Sequence, residues 1–227
     1  MDSVIFCGHP TIEESASHQF LKAASPSQVP FIEIYGHLDD EEISDYQAMI
    51  LAKERIFLQF PLFWYQAPGV VSDFIRLVFS KEFLDVHHQE LKGKELGVII
   101  SIGLPEKHYQ AGGREGVTLS ELLRPYESFS RSLGFTYLPP FVLAQHHYQS
   151  DRGKERQLVA FRQHLALPRN PNFQQRSQWL HDQLSILAKD FVDPQLSHQL
   201  TLLADEWQEA LDDLGDLESQ LPQNQWR

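Results

Sequence analysis

The feature that most limits what this chain can fold into is the run from Leu96 to Ile102, in which every residue but Gly97 and Ser101 is aliphatic. A strand apolar on both faces has to be covered on both, which is the situation of a parallel sheet packed between helices. Val4 to Cys7, Phe31 to Tyr35 and Arg55 to Phe60 are shorter runs rich in β-branched or aromatic residues, and they read as further strands. A fifth strand lies within Phe135 to Ala144, bent by Pro139-Pro140. Helical spacing fills the intervals. Thr11 with Glu14 has the form of a capping box and predicts a helix to about Lys22. Further helices are expected over Ile43 to Lys53, Gly69 to Phe79, Leu119 to Leu133 with a break or kink at Pro125, and Ser150 to His164. Five β-α alternations in about 165 residues imply a doubly wound, five-stranded parallel α/β sheet with right-handed crossovers.

Composition narrows the class. A chain of 227 residues suits one domain with room for an appended subdomain, and 42% hydrophobic with 11% aromatic content argues against global disorder. No apolar run approaches the roughly 20 residues that cross a bilayer. The first ten residues have no basic flank and reach Pro10, so a signal peptide is not expected. Cys7, the one cysteine, excludes an internal disulfide framework and reads as a small core residue. A formal charge of −12 lacks the clustered Lys and Arg of a nucleic-acid footprint. The expectation is a soluble, cytoplasmic protein that binds no nucleic acid. The pairs His87-His88 and His146-His147, read as neighbours on strands, point to opposite faces and lack a carboxylate or Cys at ligand spacing, so no metal site is expected.

The last quarter differs in kind. Residues 166 to 175 read as a linker between an α/β domain over 1–167 and an extension over 173–227. The extension carries ten acids and three bases, −7 of the −12 charge. Trp179, Leu180, Leu184, Leu187 and Phe191 share one helical face, and Asp193-Pro194 supplies an N-cap and N1 proline for a second helix. There Leu196, Leu200, Leu203, Trp207, Ala210, Leu214, Leu217 and Leu221 alternate steps of four and three, a spacing that marks a packing seam. An antiparallel hairpin follows, expected to pack on the α/β part or across a dimer.

Ligands of open α/β sheets bind beyond the carboxyl ends of the strands. Neither GxGxxG nor a Walker A loop follows any strand. The loop after the first strand carries His9, Thr11, Ser15, Ser17 and His18 around a helix start, which suits either an anion or simple capping. Pro61 to Pro68 holds three consecutive aromatics, which suit a flat conjugated ligand, a core plug or an oligomer interface. Ser101 to Gly116 is long for a βα connection, has four glycines, and places the titratable Tyr109, His108 and Glu115.

These motifs together resemble the NAD(P)H quinone reductases of flavodoxin-like fold, a family that includes the DT-diaphorase type and the ancillary subunits of glutathione-gated potassium-efflux systems. The resemblance covers about residues 4 to 165 and rests on His9-Pro10 with Ser15; Gln59 to Tyr65 with Pro68; Gly103 with Tyr109 to Gly113; Leu119 to Pro125; and Gly134 to Phe141. It implies a flavin, FMN in preference to FAD, with NAD(P)H as co-substrate, a ping-pong hydride transfer to a quinone, and a homodimer. By resemblance, His9, Ser15, Ala16, Ser17 and His18 hold the phosphate. Pro61, Leu62, Phe63, Trp64 and Tyr65 lie along the ring edge. Ser101, Ile102, Gly103, Leu104, Tyr109 and Gly112 close the other side, with Tyr109 as proton donor. His18 stands where the family usually has Asn, Ser101 to Leu104 where it has Thr-Thr-Gly-Gly, and Glu115 where the DT-diaphorase type pairs its tyrosine with a histidine. The alternative is a regulatory or interaction subunit that keeps the fold and binds nucleotide with little turnover, with peripheral association to a membrane transporter.

Overall fold

The computed structural model describes residues 2–220, which fall into two compact units meeting between Ala166 and Leu167. The first is built on a parallel sheet. Its strands are β1 (Ser3–Gly8), β2 (Phe31–Ile34), β3 (Arg55–Pro61), β4 (Glu95–Ile102), β5 (Thr136–Tyr137) and β6 (Phe141–Ala144), in the order β2-β1-β3-β4, with β5 and β6 both on the far edge of β4. The expected fifth strand is therefore present as two short pieces. Pro139 and Pro140 supply no backbone N–H to the ladder, so pairing stops at Tyr137 and resumes at Phe141, opposite Ile99.

The helices of this unit are α1 (Ala16–Ala24), α2 (Asp40–Ala52), α3 (Gly69–Val78), α4 (Lys81–Leu91), α5 (Leu119–Leu122), α6 (Arg124–Ser132) and α7 (Asp151–Ala166). They cover both sheet faces. Phe6, Ile56, Leu58, Phe60, Val98 and Ile100 pack with α2, α3 and α6 in one core, while Ile5, Phe57 and Ile99 pack with Leu21 and Phe161 in the other. Every residue of β1 and β3 is buried, as strands sandwiched on two sides require. At the end of β1 the backbone runs hard against α3. A Cβ on Gly8 would lie 2.4 Å from Val71 Cγ2, so only glycine permits that approach.

One expectation is corrected, one is met, and one helix was not foreseen. The Thr11–Glu14 capping box does not form: residues Ile12–Glu14 make a 3-10 turn, and Ser15 caps α1 instead, its Oγ accepting from the His18 N–H at 3.3 Å. The helical stretch over Leu119 to Leu133 breaks at Pro125 as expected, into α5 and α6, because Pro125 has no N–H to extend α5 and instead stands in the first turn of the next helix. Helix α4 was not expected at all. Ser80 caps it and Phe83 and Leu91 anchor it, and it carries His87 and His88, which are therefore helical neighbours and not strand residues. His146 and His147 likewise sit in a 3-10 turn after β6. Among the described residues no cluster of three His, Cys, Asp or Glu side chains stands at metal-binding geometry, and no helix is long and apolar enough to cross a membrane.

The second unit holds α8 (Phe173–Asp190) and α9 (Pro194–Gln220). Asn172 and Gln175 form a capping box on α8, and Asp193 Oδ1 accepts from the Gln195 N–H at 2.9 Å to start α9. Ser197 Oγ donates to the Ala188 carbonyl at 2.6 Å and Gln178 Nε2 to Gln208 Oε1 at 3.4 Å, which makes the pair antiparallel. These contacts put Ser197, Ala204, Gln208 and Leu211 on the contact face of α9, opposite Ser177 and Ala188. The expected seam is met only in part: Leu200 and Leu214 are half-buried, but Leu196, Leu203, Trp207, Ala210 and Leu217 are exposed, while Ala204 and Leu211 beside the stripe are buried. Ser197 and Ala204 let the two helices approach closely, and Leu211 fills the contact further along. Leu221 of the expected stripe lies outside the described residues.

At the amino end of the sheet Arg55 is fully buried, with Nε donating to Glu95 Oε2 at 2.6 Å and Nη1 to the Leu165 carbonyl at 3.0 Å. His164 lies beside it with a buried, unpartnered Nε2; burial, and secondarily the Arg55 charge, push this imidazole down to about 4. An unfolded histidine titrates near 6.5, so between pH 6.5 and 4 the unfolded chain binds the extra proton and folding weakens as pH falls, by up to about 3 kcal/mol. His164→Phe should flatten this acid limb in urea melts taken from pH 7 to pH 4. An unchanged slope would assign the acid sensitivity to other groups.

Candidate functional site

The carboxyl ends of β1, β3, β4 and β6 converge on one open cavity of about 730 Å³. Register explains the convergence, since Pro61 pairs with Ser101 and Ser101 with Leu143. His9 enters from β1, Pro61 to Trp64 from β3, Ser101 to Gly103 from β4, and Leu143, His146 and His147 from β6 and the turn after it. Thr11, Glu14, Ser15, Ala16 and Ser17 complete the wall at the start of α1. No lysine or arginine lines it, and its apolar wall is Leu62, Phe63 and Trp64.

The hydroxyl end is ordered by local hydrogen bonds. Ser15 Oγ and Ser17 Oγ lie 3.1 Å apart, and His9 Nδ1 accepts from the Thr11 N–H at 3.0 Å. That bond puts the proton of neutral His9 on Nε2, which is left as a donor. Burial, and secondarily the nearby His18 ring, hold the His9 imidazole below its ordinary value. The first backbone N–H groups of α1 add orphan donors at this end.

The aromatic rim is a strained turn. Phe63 and Gln66 exchange backbone hydrogen bonds at 2.9 and 3.0 Å across Trp64 and Tyr65, whose φ values are 47° and 66°. Two left-handed residues in succession make a type I′ turn, a conformation that favours Asn and Gly and costs about 1–2 kcal/mol for each side chain with a Cβ. It turns Trp64 outward, 90% exposed. Tyr65 Oη donates to Glu115 Oε2 at 2.8 Å, fastening this turn to the loop after β4. The bond keeps the Tyr65 phenol protonated above its usual range.

Several residues singled out in the sequence do not line this cavity. Tyr65, Leu104 and Gly112 lie outside it, and Tyr109 lines a neighbouring hollow of about 570 Å³ with Gln110, Thr118, Pro140 and Val142. Burial, and secondarily the Glu115 charge, raise the Tyr109 phenol, so it stays protonated at neutral pH. His18 faces inward: its side chain is buried, Nδ1 lies 3.1 Å from Cys7 Sγ and Nε2 lies 2.8 Å from Glu33 Oε1. Burial pushes the Cys7 thiol up, so it is the donor, and His18 Nε2–H then donates to Glu33. Expected as a phosphate donor, the His18 side chain instead ties α1 to β1 and β2. Lys22 Nζ and Tyr35 Oη also donate to Glu33, which with His18 holds its carboxyl down to about 2, Lys22 first. Sequence reasoning missed Glu14, Leu143, His146 and His147 as lining residues. The signal available for the last three was their position at the end of the fifth strand run.

A flavin mononucleotide is tested by what these walls offer. One end supplies hydroxyls, an imidazole donor and free helix N–H groups, the other a flat apolar wall. The residues fit such a group. On β3 between Cys7 and Ile99, Gln59 is 1% exposed with neither amide atom partnered, and it does not line the cavity.

Comparison with known proteins bears on the fold and the family. A family model described as "Flavodoxin-like fold" matches residues 4–165. An uncharacterized NAD(P)H oxidoreductase, YdeQ, of Bacillus subtilis (strain 168) is 36% identical over 149 residues, 63% of this chain and 75% of that protein. A glutathione-regulated potassium-efflux system ancillary protein, KefG, of Cronobacter sakazakii is 28% identical over 145 residues, 62% of this chain and 79% of its own. The crystal structure of an NADPH-quinone reductase from P. pentosaceus superposes with a TM-score of 0.67 at 34% identity, covering 72% of this chain and 96% of that one.

The His18 chain generates a prediction. His18→Phe should leave the Cys7 thiol and one Glu33 contact unmet and lower stability by about 1–3 kcal/mol in urea melts, and His18→Gln should recover part of the loss. Equal stability of all three proteins would show that the chain holds nothing. From its sheet, its strand-end cavity and the match over residues 4–165, this chain belongs to the family of proteins with the flavodoxin-like fold.

Proposed function

We propose that this chain is an FMN-dependent NAD(P)H:quinone oxidoreductase that works by ping-pong hydride transfer, as a homodimer. The observation that carries the reading is one cavity at four strand ends that pairs a donor-rich, lysine- and arginine-free end with an aromatic wall. The bound flavin supplies the hydride chemistry that side chains lack. The chain's own residues bind and orient. The N–H groups of Ala16 and Ser17, the Ser17 hydroxyl and His9 Nε2–H hold a phosphate by hydrogen bonds and the α1 dipole. Leu62 and Phe63 exclude water from one side of the ring site, with Trp64 at its exposed rim, and the backbone at Gly103 leaves room on the other.

Tyr109 is assigned the proton delivered to the reduced acceptor on the strength of the family resemblance; it lines the separate hollow after β4 and not the cavity itself. The two half-reactions separate these roles. NADPH added anaerobically to flavin-loaded protein should bleach the flavin, and a quinone should restore the colour. Tyr109→Phe should slow the quinone step by about 10²-fold and spare the bleaching step. Equal rates in both steps would leave solvent as the donor. Trp64→Ala should weaken flavin retention with little loss of stability, since this side chain is exposed. The relative named as a potassium-efflux ancillary protein favours a second reading, a regulatory subunit at a membrane transporter. Protein that takes up flavin without turnover on any quinone would select that reading.

A further inference from the structure

His146 has no part in the function assigned above, yet it is only 9% exposed and lines the cavity. Gln145 before it is left-handed, with φ at 50°, and its N–H donates to the Ile102 carbonyl at 2.9 Å. Backbone strain of this kind collects at ligand sites. The reversal sets the His146 ring on Phe20 of α1, with ring centroids 4.3 Å apart. Ser17 lies three residues before Phe20, on the same face of α1, and lines the cavity too. His146 therefore stands at the end of the cavity where α1 begins.

The ring is fixed at one nitrogen and open at the other. Gln157 Nε2 donates to the Ala144 carbonyl at 3.4 Å, which leaves Gln157 Oε1 to accept from His146 Nδ1–H at 3.0 Å. Nε2 then carries the lone pair of the neutral ring. It meets no partner among the described residues and is not shut off from the cavity. In this form it would face a phosphate oxygen as acceptor against acceptor. A phosphomonoester brings a charge of about −1.5 to −2 at pH 7. Glu14 adds a carboxylate to the cavity wall, and no lysine or arginine lines it. Charged groups on the elements around His146 are engaged or exposed. On α1, Lys22 pairs with Glu33, and His18 faces inward to Cys7 and Glu33. On α7, Arg162 donates to the Ala24 carbonyl, Lys154 stands 4.0 Å from Asp151, and Arg152, Glu155 and Arg156 are exposed. His9 donates from Nε2 while neutral, because its Nδ1 accepts from the Thr11 N–H. His147 is exposed, edge-on to the Tyr148 ring.

Resting on the flavin reading above, we propose that His146 is the counter-cation of the bound phosphate. The phosphomonoester enters with one proton from solvent, and His146 Nε2 takes up that proton and donates a charge-assisted hydrogen bond to a phosphate oxygen. Calorimetry in two buffers of different ionisation enthalpy counts the proton, on flavin-free full-length protein. At pH 7.5 ordinary imidazoles and free phosphomonoesters are largely deprotonated. FMN binding should then take up about one proton, and riboflavin, which lacks the phosphate, about none. FMN affinity should fall by up to about tenfold per pH unit from pH 7 to 8.5. His146→Gln should weaken FMN about tenfold or more at pH 7 and abolish the uptake. His146→Lys, which carries a fixed cation, should keep FMN and take up no proton. His147→Gln should take up the proton as the parent protein does. FMN bound by the parent protein without proton uptake would overturn the proposal and make His146 an acceptor for a ligand hydroxyl. Uptake that persists in His146→Gln, or vanishes in His147→Gln, would overturn it too. Failure of the parent protein to bind FMN at all would overturn the flavin reading itself, and the role of His146 with it.

Discussion

The pairing of β3 between β1 and β4 is the constraint on which the rest of the α/β unit depends. All seven of its residues are buried, with aliphatic and aromatic side chains on one face and Arg55, Phe57 and Gln59 on the other. A slip of one residue would exchange these faces and put Arg55 and Gln59 into the larger core, so register is strongly specified. From that register follow the ends. Gln59 comes level with Cys7 and Ile99, and Pro61 with Ser101, so the loops that carry hydroxyls, aromatics and glycines open on one side. At the opposite end the buried Arg55 guanidinium reaches Glu95 and the last carbonyls of α7. Removing one partner of such a buried pair leaves an uncompensated charge, which is why the contact is fastened at several points.

The site edge is less relaxed than its floor. Trp64 and Tyr65 occupy backbone conformations that side chains with a Cβ avoid, and the turn persists because Phe63, Gln66 and the Tyr65–Glu115 bond fix it from three directions. On the other side, the Cys7–His18–Glu33 chain converts a histidine at a helix start into an internal fastening. The donors left for a ligand are then the backbone, the serine hydroxyls and His9. Glu33 would be an unwelcome charge near an anion, but Lys22, His18 and Tyr35 all face it.

The two-helix extension follows a different rule. Its helices approach through Ser177, Ala188, Ser197 and Ala204, small groups that hold the axes close, with Leu211 buried beside them, while Leu196, Leu203 and Leu217 stay exposed. Hydrophobic spacing alone cannot distinguish a seam that joins two helices of a hairpin from a stripe on the neighbouring face, because adjacent positions on a helix differ by only about 100°.

The amino-acid sequence by itself determined the alternation of strands and helices, the parallel sheet and the strand-end location of the site. These depend on local periodicity and on runs such as Leu96 to Ile102, which carry their burial in their composition. The break at Pro125, the Asp193 cap and the bend at Pro139-Pro140 were legible for a similar reason: proline lacks an N–H wherever it stands. Helix α4 was not legible, since Phe83 and Leu91 are too sparse to mark a periodic face and the adjacent His87 and His88 obscured it. Only the tertiary structure decided that Ser15 and not Thr11 caps α1, that His18 turns inward to Cys7 and Glu33, and that His146 and His147 reach the cavity. Each of these depends on which groups lie within 3 Å or so across the fold. Distances between residues far apart in the chain are set by packing, and no local pattern records them.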